Sequence, residues 1–156
     1  MRKGVALYLM VYVLNIFASN DIESVREMYY RSIEDDKVAN SFLNYFDTVD
    51  VNNNATLMGY NAVANFLQSK HSWNQYTKLE HFNAGKEQLE YAIIQEDANI
   101  ELRFLRLSIQ ENLPSFLGYS SQIKADRSFL VDHLDQILDE DLKTKISAYL
   151  KTLKAI

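Results

Sequence analysis

The sequence predicts an all-α protein: antiparallel helical hairpins stacked as a small, repeat-like bundle of about seven helices. Three observations point there. Four glycines and one proline in 156 residues leave few of the residues that make tight turns, which a sheet-rich chain needs in number. Apolar residues recur three and four positions apart along most of the chain, the spacing that puts them on one side of a helix. The breaks between these runs are short and rich in Asn and Asp, which turn or cap a chain by hydrogen-bonding nearby backbone.

The chain opens with Arg2 and Lys3, runs uncharged through VALYLMVYVLNIF (5–17) and reaches the small residues Ala18 and Ser19. A short positive region, an apolar core and small residues at a cleavage point form the pattern of a secretory signal peptide. The expectation is a signal peptide at 1–18, cleaved near Ala18. A single all-helical domain at 19–156 would follow, exported to the periplasm or the cell exterior. The apolar run falls short of the ~20 residues that a membrane-crossing helix needs, so no stable span is expected after cleavage. A buried first helix and an uncleaved anchor are the other readings of this stretch.

Beyond it, DIESVREMYYRSI places Ile22, Val25, Met28, Tyr29 and Ile33 on one helical face, with Asn20 or Asp21 as the cap. DDKVANSFLNYFDTV repeats the pattern with Val38, Phe42, Tyr45, Phe46 and Val49, and DVNNN ends it. Asn54 caps a third helix, ATLMGYNAVANFLQSK; it also begins an N-x-T sequon with Thr56. HSWNQY (71–76) connects to a fourth helix that turns Leu79, Phe82, Leu89 and Ile93 inward, with Ala84, Gly85 and Ala92 leaving room for a close neighbour. EDAN turns the chain into a fifth helix starting near Glu101. A sixth is expected from about Ser120 to Leu138, with Ile123, Leu130, Leu134 and Ile137 facing in. A seventh starts at Asp139 or Asp141 and carries Leu142, Ile146, Leu150 and Leu153. Its acids lie near its start and its lysines toward its end, which suits the helix dipole.

LEYAIIQEDANIELRFLRLSI resembles the junction of a tetratricopeptide repeat, with Ala92, Asn99 and Glu101 at matching positions and Asp97 where such repeats usually carry proline. LMGY (57–60) resembles the Leu, Gly and Tyr positions of a repeat's first helix. The helix pairs recur at roughly 40 residues against the usual ~34. A core of the form R-F-L-R…I-Q…P-x-F-L-G-Y also resembles a group of small exported bacterial proteins. The resemblance implies stacked hairpins that act by binding.

The stretch ELRFLRLSIQENLPSFLGY (101–119) carries the candidate site. On a wheel of ~100° per residue, Leu102, Leu105, Ile109 and Leu113 share one face, and Phe104 and Leu107 lie opposite. Arg103, Arg106 and Gln110 form a narrow polar stripe between them. Either the two arginines pair with carboxylates of adjacent helices, such as Glu80, Glu87, Glu90 or Asp126, or the stripe lines a groove that holds a partner's carboxylate by bidentate contacts. Tyr60 and Tyr119 are candidate aromatic contacts of that groove. Pro114 ends the helix, and Gly118 permits a backbone angle closed to other residues. Phe116, Leu117 and Tyr119 then either fold back over the fourth and sixth helices or present an edge to a partner. Trp73, beside His71 and Tyr76, is the aromatic cluster marked for exposure, with a cap over the third and fourth helices as its other reading.

The formal charge of −5, or −7 once Arg2 and Lys3 are removed, disfavours nucleic acid and anionic membranes as partners. His71, His81 and His133 lack the spacing of a metal site, no cysteine is present, and no glycine-rich phosphate loop occurs, so no cofactor or metal is expected. The functional expectation is an exported module that binds a protein or an extended peptide through Arg103, Arg106, Gln110, Tyr60 and Tyr119. The alternatives are a small hydrolase or ligand-processing enzyme using His81 and neighbouring carboxylates, and a purely structural subunit.

Overall fold

The structure, a computed structural model, describes residues 22–33 and 35–154. The expected signal peptide and the Asn20 or Asp21 cap lie outside the described residues. Every regular element among those described is helical, so the all-α class holds. The chain divides into two compact units, Met1–Val51 and Asn52–Ile156.

In the first unit, helix α1 (22–33) is followed by α2 (Asp36–Tyr45). Asp35 caps α2, its side chain accepting from the Lys37 N–H at 2.8 Å. Aromatic rings join the two helices: Tyr29 lies 6.2 Å from Phe42, which meets Phe46 edge-on at 5.3 Å. Val25 and Phe42 are wholly buried, as the periodicity requires. Ile33 is exposed, contrary to the expected inward face. It sits in the last turn of α1, eight residues beyond Val25 and some 80° round the helix from it.

The second unit is built on α3 (Ala55–His71), which is buried on most of its circumference. Asn54 caps it by accepting from the Leu57 N–H at 3.0 Å, so the cap reading of that residue is the observed one. Three residues then turn the chain into α4 (Gln75–Gln95), capped by Asn74. The two helices form a tight hairpin, and α3 also packs against α5 (Ile100–Asn112). Asn99 caps α5, accepting from the Leu102 N–H and donating to Thr56 Oγ1 at 2.9 Å, which pins the start of α5 to the first turn of α3.

After Pro114, a 3-10 turn (Ser115–Leu117) leads to Gly118, whose φ of 65° lies in the left-handed region where glycine is favoured. Helix α6 (Ile123–His133) packs on α5, a second 3-10 turn (Leu134–Gln136) follows, and α7 (Glu140–Lys154) closes the chain of elements. Phe104 of α5 meets Tyr149 of α7 edge-on at 5.5 Å. Helix α6 is shorter than the sequence indicates. Its start is a turn in which the Ile123 N–H reaches Ser120 O, and beyond His133 the bonding tightens to a three-residue step, with Ile137 N–H on Leu134 O. No described helix is long and apolar enough to cross a membrane.

Two glycines set how closely the helices approach. A Cβ at Gly59 would come within 2.3 Å of Leu102 Cδ2, and one at Gly85 within 2.9 Å of the Ala62 carbonyl oxygen. The first obstacle is the end of a side chain; the second is backbone and cannot rotate away. Helix propensity alone favours Gly→Ala by about 1 kcal/mol. Overpacking instead costs about 1–3 kcal/mol. Gly85→Ala should therefore lower the urea midpoint of unfolding, and more than Gly59→Ala does. A midpoint raised by Gly85→Ala would show that α3 and α4 do not meet this closely.

Candidate functional site

The polar stripe of α5 is built into an ion cluster. Asp126, in the first turn of α6, is wholly buried. Its Oδ2 accepts from Arg106 Nε at 2.7 Å, and its Oδ1 from Arg106 Nη2 at 2.8 Å and Arg103 Nη1 at 3.1 Å. Arg106 Nη1 donates in turn to Glu90 Oε2 on α4 at 2.6 Å. Glu90 Oε1 accepts from the Tyr119 hydroxyl, also at 2.6 Å. One guanidinium thus links α4, α5 and α6, and Glu90 carries the link on to the 113–122 connection.

Burial works against the charge of Arg106, but hydrogen bonds and attraction from Asp126 and Glu90 outweigh it and hold its pKa above the usual arginine value. The Tyr119 hydroxyl is pushed well above the ordinary tyrosine range, first by burial and then by the hydrogen bond to Glu90 and its charge. Its ring stacks on Phe66 at 6.1 Å, stands edge-on to Phe82 at 6.3 Å and receives Lys86 Nζ 5.3 Å from its centroid. Arg103 is partly exposed; its Nε and Nη2 donate to the Asp97 carbonyl, and its guanidinium lies 5.2 Å from the Phe129 ring.

The structure therefore brings Arg103, Arg106 and Tyr119 onto Glu90 and Asp126, two of the four carboxylates that the sequence nominates. Gln110 lies one turn beyond Arg106, 2% exposed; its amide makes no hydrogen bond of good geometry but approaches the Tyr119 hydroxyl, whose pKa it pulls down slightly against the larger upward push. Tyr60 stands apart from the cluster, wholly buried, its hydroxyl donating to Glu101 Oε1 at 2.6 Å. A visiting carboxylate would have to displace Asp126 or Glu90 to reach the bound edges of Arg106, which is itself only 3% exposed.

Comparison of the chain with protein-family models, curated proteins and solved structures gives no match. The remaining clues to function are geometric.

His81 is half-buried, with Nδ1 3.1 Å from Asn65 Oδ1. His133 stacks on Phe129 at 4.1 Å and approaches the Phe129 carbonyl, the packing position its spacing implies. Among the described residues no three His, Asp or Glu side chains converge as a metal site. Of the apolar residues after Pro114, Tyr119 folds back as described, whereas Phe116 is exposed. The 3-10 turn points Phe116 away while the left-handed step at Gly118 swings Tyr119 inward.

What the sequence reading missed is the outer face of α4. Its inner face is Phe82, Gly85, Leu89, Ala92 and Ile93. On the opposite side Tyr76, Asn83, Glu87 and Ile94 fall within ~40° of one line, flanked by Leu79 and Tyr91. Tyr76 is 86% exposed and Ile94 74%; Leu79 and Tyr91 are about half exposed. Leu79 was expected to face inward, but it lies about 90° round from the middle of the buried face. Trp73, in the connector just before α4, is 99% exposed, so it caps nothing. Beside the stripe, Asn83, Lys86, Glu87, Glu90, Tyr91 and Ile94 line a shallow open groove of about 420 Å³. The signal was legible: Tyr91 and Ile94 do not share the register of Leu89 and Ile93.

Two predictions follow from the cluster. Asp126→Ala strands Arg106 in the interior and should destabilise the protein by about 3–5 kcal/mol. Gln110→Met replaces an unsatisfied amide of similar size and should be neutral or stabilising by about 1–2 kcal/mol. Urea unfolding of both variants checks this, and the reverse order would refute the assignment. The second concerns pH. The folded chain keeps the Tyr119 proton to higher pH than the unfolded chain, whose tyrosines titrate near ~10. This contribution is complete below about pH 10 and is lost as pH rises above it. Tyr119→Phe should flatten that part of the stability profile; an unchanged slope between about pH 9 and 11 would exclude the effect.

Proposed function

We propose that the chain is an exported protein-interaction module whose docking face is the outer side of α4 with Trp73 at its edge. The observation that carries this reading is the exposed apolar stripe of Tyr76, Leu79, Tyr91 and Ile94. Such groups on a helix whose opposite side is packed leave unsatisfied apolar surface of the kind that marks interaction sites. Tyrosine and tryptophan are the residues most enriched where binding energy concentrates. The hairpins α3–α4 and α5–α6 serve here as tetratricopeptide-like units, in which a rigid stack presents a surface for recognition. The positive, apolar and small residues of 1–18 support export.

In this reading Arg103, Arg106 and Tyr119 stiffen the scaffold behind the docking face, and Tyr60 anchors α3 to α5. The chain has one tryptophan, so docking has a direct readout. Trp73 emission should shift to the blue as a partner covers it. A photo-crosslinker placed at Ile94 in cells should capture a discrete protein, whereas one at the exposed Lys151 should not. Trp73→Ala and Ile94→Ala should weaken binding of the captured protein by roughly thirty-fold or more between them, with helical content unchanged. N-terminal sequencing of the exported form should begin at Ser19. Equal capture at both positions would overturn the docking-face reading.

A further inference from the structure

The docking face has a charge pattern that selects its occupant. Between the two apolar ends of α4, the exposed surface carries Glu80 and Glu87. Neither carboxylate has a basic partner within the second unit's described residues, while Glu90 beside them is already committed to Arg106 and Tyr119. Tyr76 and Ile94 lie eighteen residues apart, about 27 Å along the axis, and Leu79 and Tyr91 about 18 Å apart. The stripe is thus apolar at both ends and carries free carboxylates in the middle, where Lys86 at its border turns its ammonium over the Tyr119 ring.

Resting on the docking-face reading above, we propose that the occupant is a cationic amphipathic helix of another protein, laid along α4. Its apolar residues cover Trp73, Tyr76 and Leu79 at one end and Tyr91 and Ile94 at the other. Its lysines or arginines, near its midpoint, meet Glu80 and Glu87. The groove at Asn83, Lys86, Glu87, Glu90, Tyr91 and Ile94 receives one large apolar side chain, which fixes the register. The simplest rival is a second copy of this chain. A parallel pairing of two copies would set Glu87 against Glu87 in the middle of the contact, and an antiparallel pairing about residue 85 would face each Glu87 with Asn83 of the other copy rather than with a cation. The acidic surface equally disfavours an anionic lipid surface.

The test uses the full chain and two designed helical peptides of about five turns. Both carry the same apolar residues at both ends; one has three lysines on its central face and the other three glutamates. Trp73 emission and peptide anisotropy report binding. The lysine peptide should bind at least ten-fold more tightly than the glutamate peptide. Glu80→Gln with Glu87→Gln should remove about five- to ten-fold of that affinity at low salt, with the loss shrinking as salt rises. Helical content by circular dichroism is followed alongside, and both substitutions lie on exposed surface away from the packed face. Equal binding of the two peptides overturns the charge assignment and leaves the docking face standing. So does self-association in sedimentation that Ile94→Asp abolishes, because the occupant is then a second copy. A blue shift of Trp73 on vesicles of phosphatidylcholine and phosphatidylglycerol, without response to either peptide, overturns both readings. Failure of both peptides to bind overturns the cationic-helix assignment, and crosslinking at Ile94 then decides the docking face separately.

Discussion

The second unit depends on how a single buried carboxylate is satisfied. Asp126 has no access to solvent, and it holds both arginines of the α5 stripe. A lone ionised carboxylate in that position would be expensive, so the arginines are as necessary to Asp126 as it is to them. Its place in the first turn of α6 adds favourable interaction with the helix dipole. Because Arg106 also reaches Glu90, and Glu90 reaches Tyr119, the same charges fix the α4–α5–α6 arrangement and dock the connection that follows Pro114. Nonpolar packing would hold these helices together in many registers; bidentate geometry permits few. The cluster is thus read as a device that selects one arrangement among several of similar apolar burial.

Much of this was visible in residue order. The cap Asn54 announces itself as Asn before a periodic apolar run and makes the expected backbone bond, and Asn99, singled out only for its place in the repeat-like junction, caps α5 in the same way. Gly85 is a small residue in a helix otherwise crowded with large ones, and it does sit against the backbone of α3. The nearness of Arg103, Arg106 and Gln110 follows from helical spacing alone. Their partners did not follow, because four acids were within plausible reach and only the crossing of α4 and α6 over α5 selects Glu90 and Asp126. The environment of Gln110 was equally hidden. Nothing in its sequence neighbourhood says that its amide would be buried without a well-formed bond.

The errors have a common source. Leu79 is expected in the core because it is apolar at helical spacing, yet it lies about 90° round from the middle of the buried face of α4 and is exposed. Ile33 fails the same way, some 80° round from Val25 in the last turn of α1. The shortening of α6 has another cause: its apolar periodicity continues through Ile137, yet hydrogen bonding changes to the tighter step after His133. Periodicity reports which side of a segment is apolar. It does not report where a helix ends or whether a neighbour is there to meet each residue.

The division of α4 into two faces has a consequence for how this protein can change over time. Gly85 allows the inner seam almost no latitude, since even one methyl group would strike the Ala62 carbonyl. The outer stripe touches nothing that holds the fold together, apart from Glu90 at its border. Substitutions there are nearly free in stability. Under the proposed docking role, lineages carrying this scaffold can therefore drift from one binding specificity to another by surface replacement alone, while the seam beneath stays frozen.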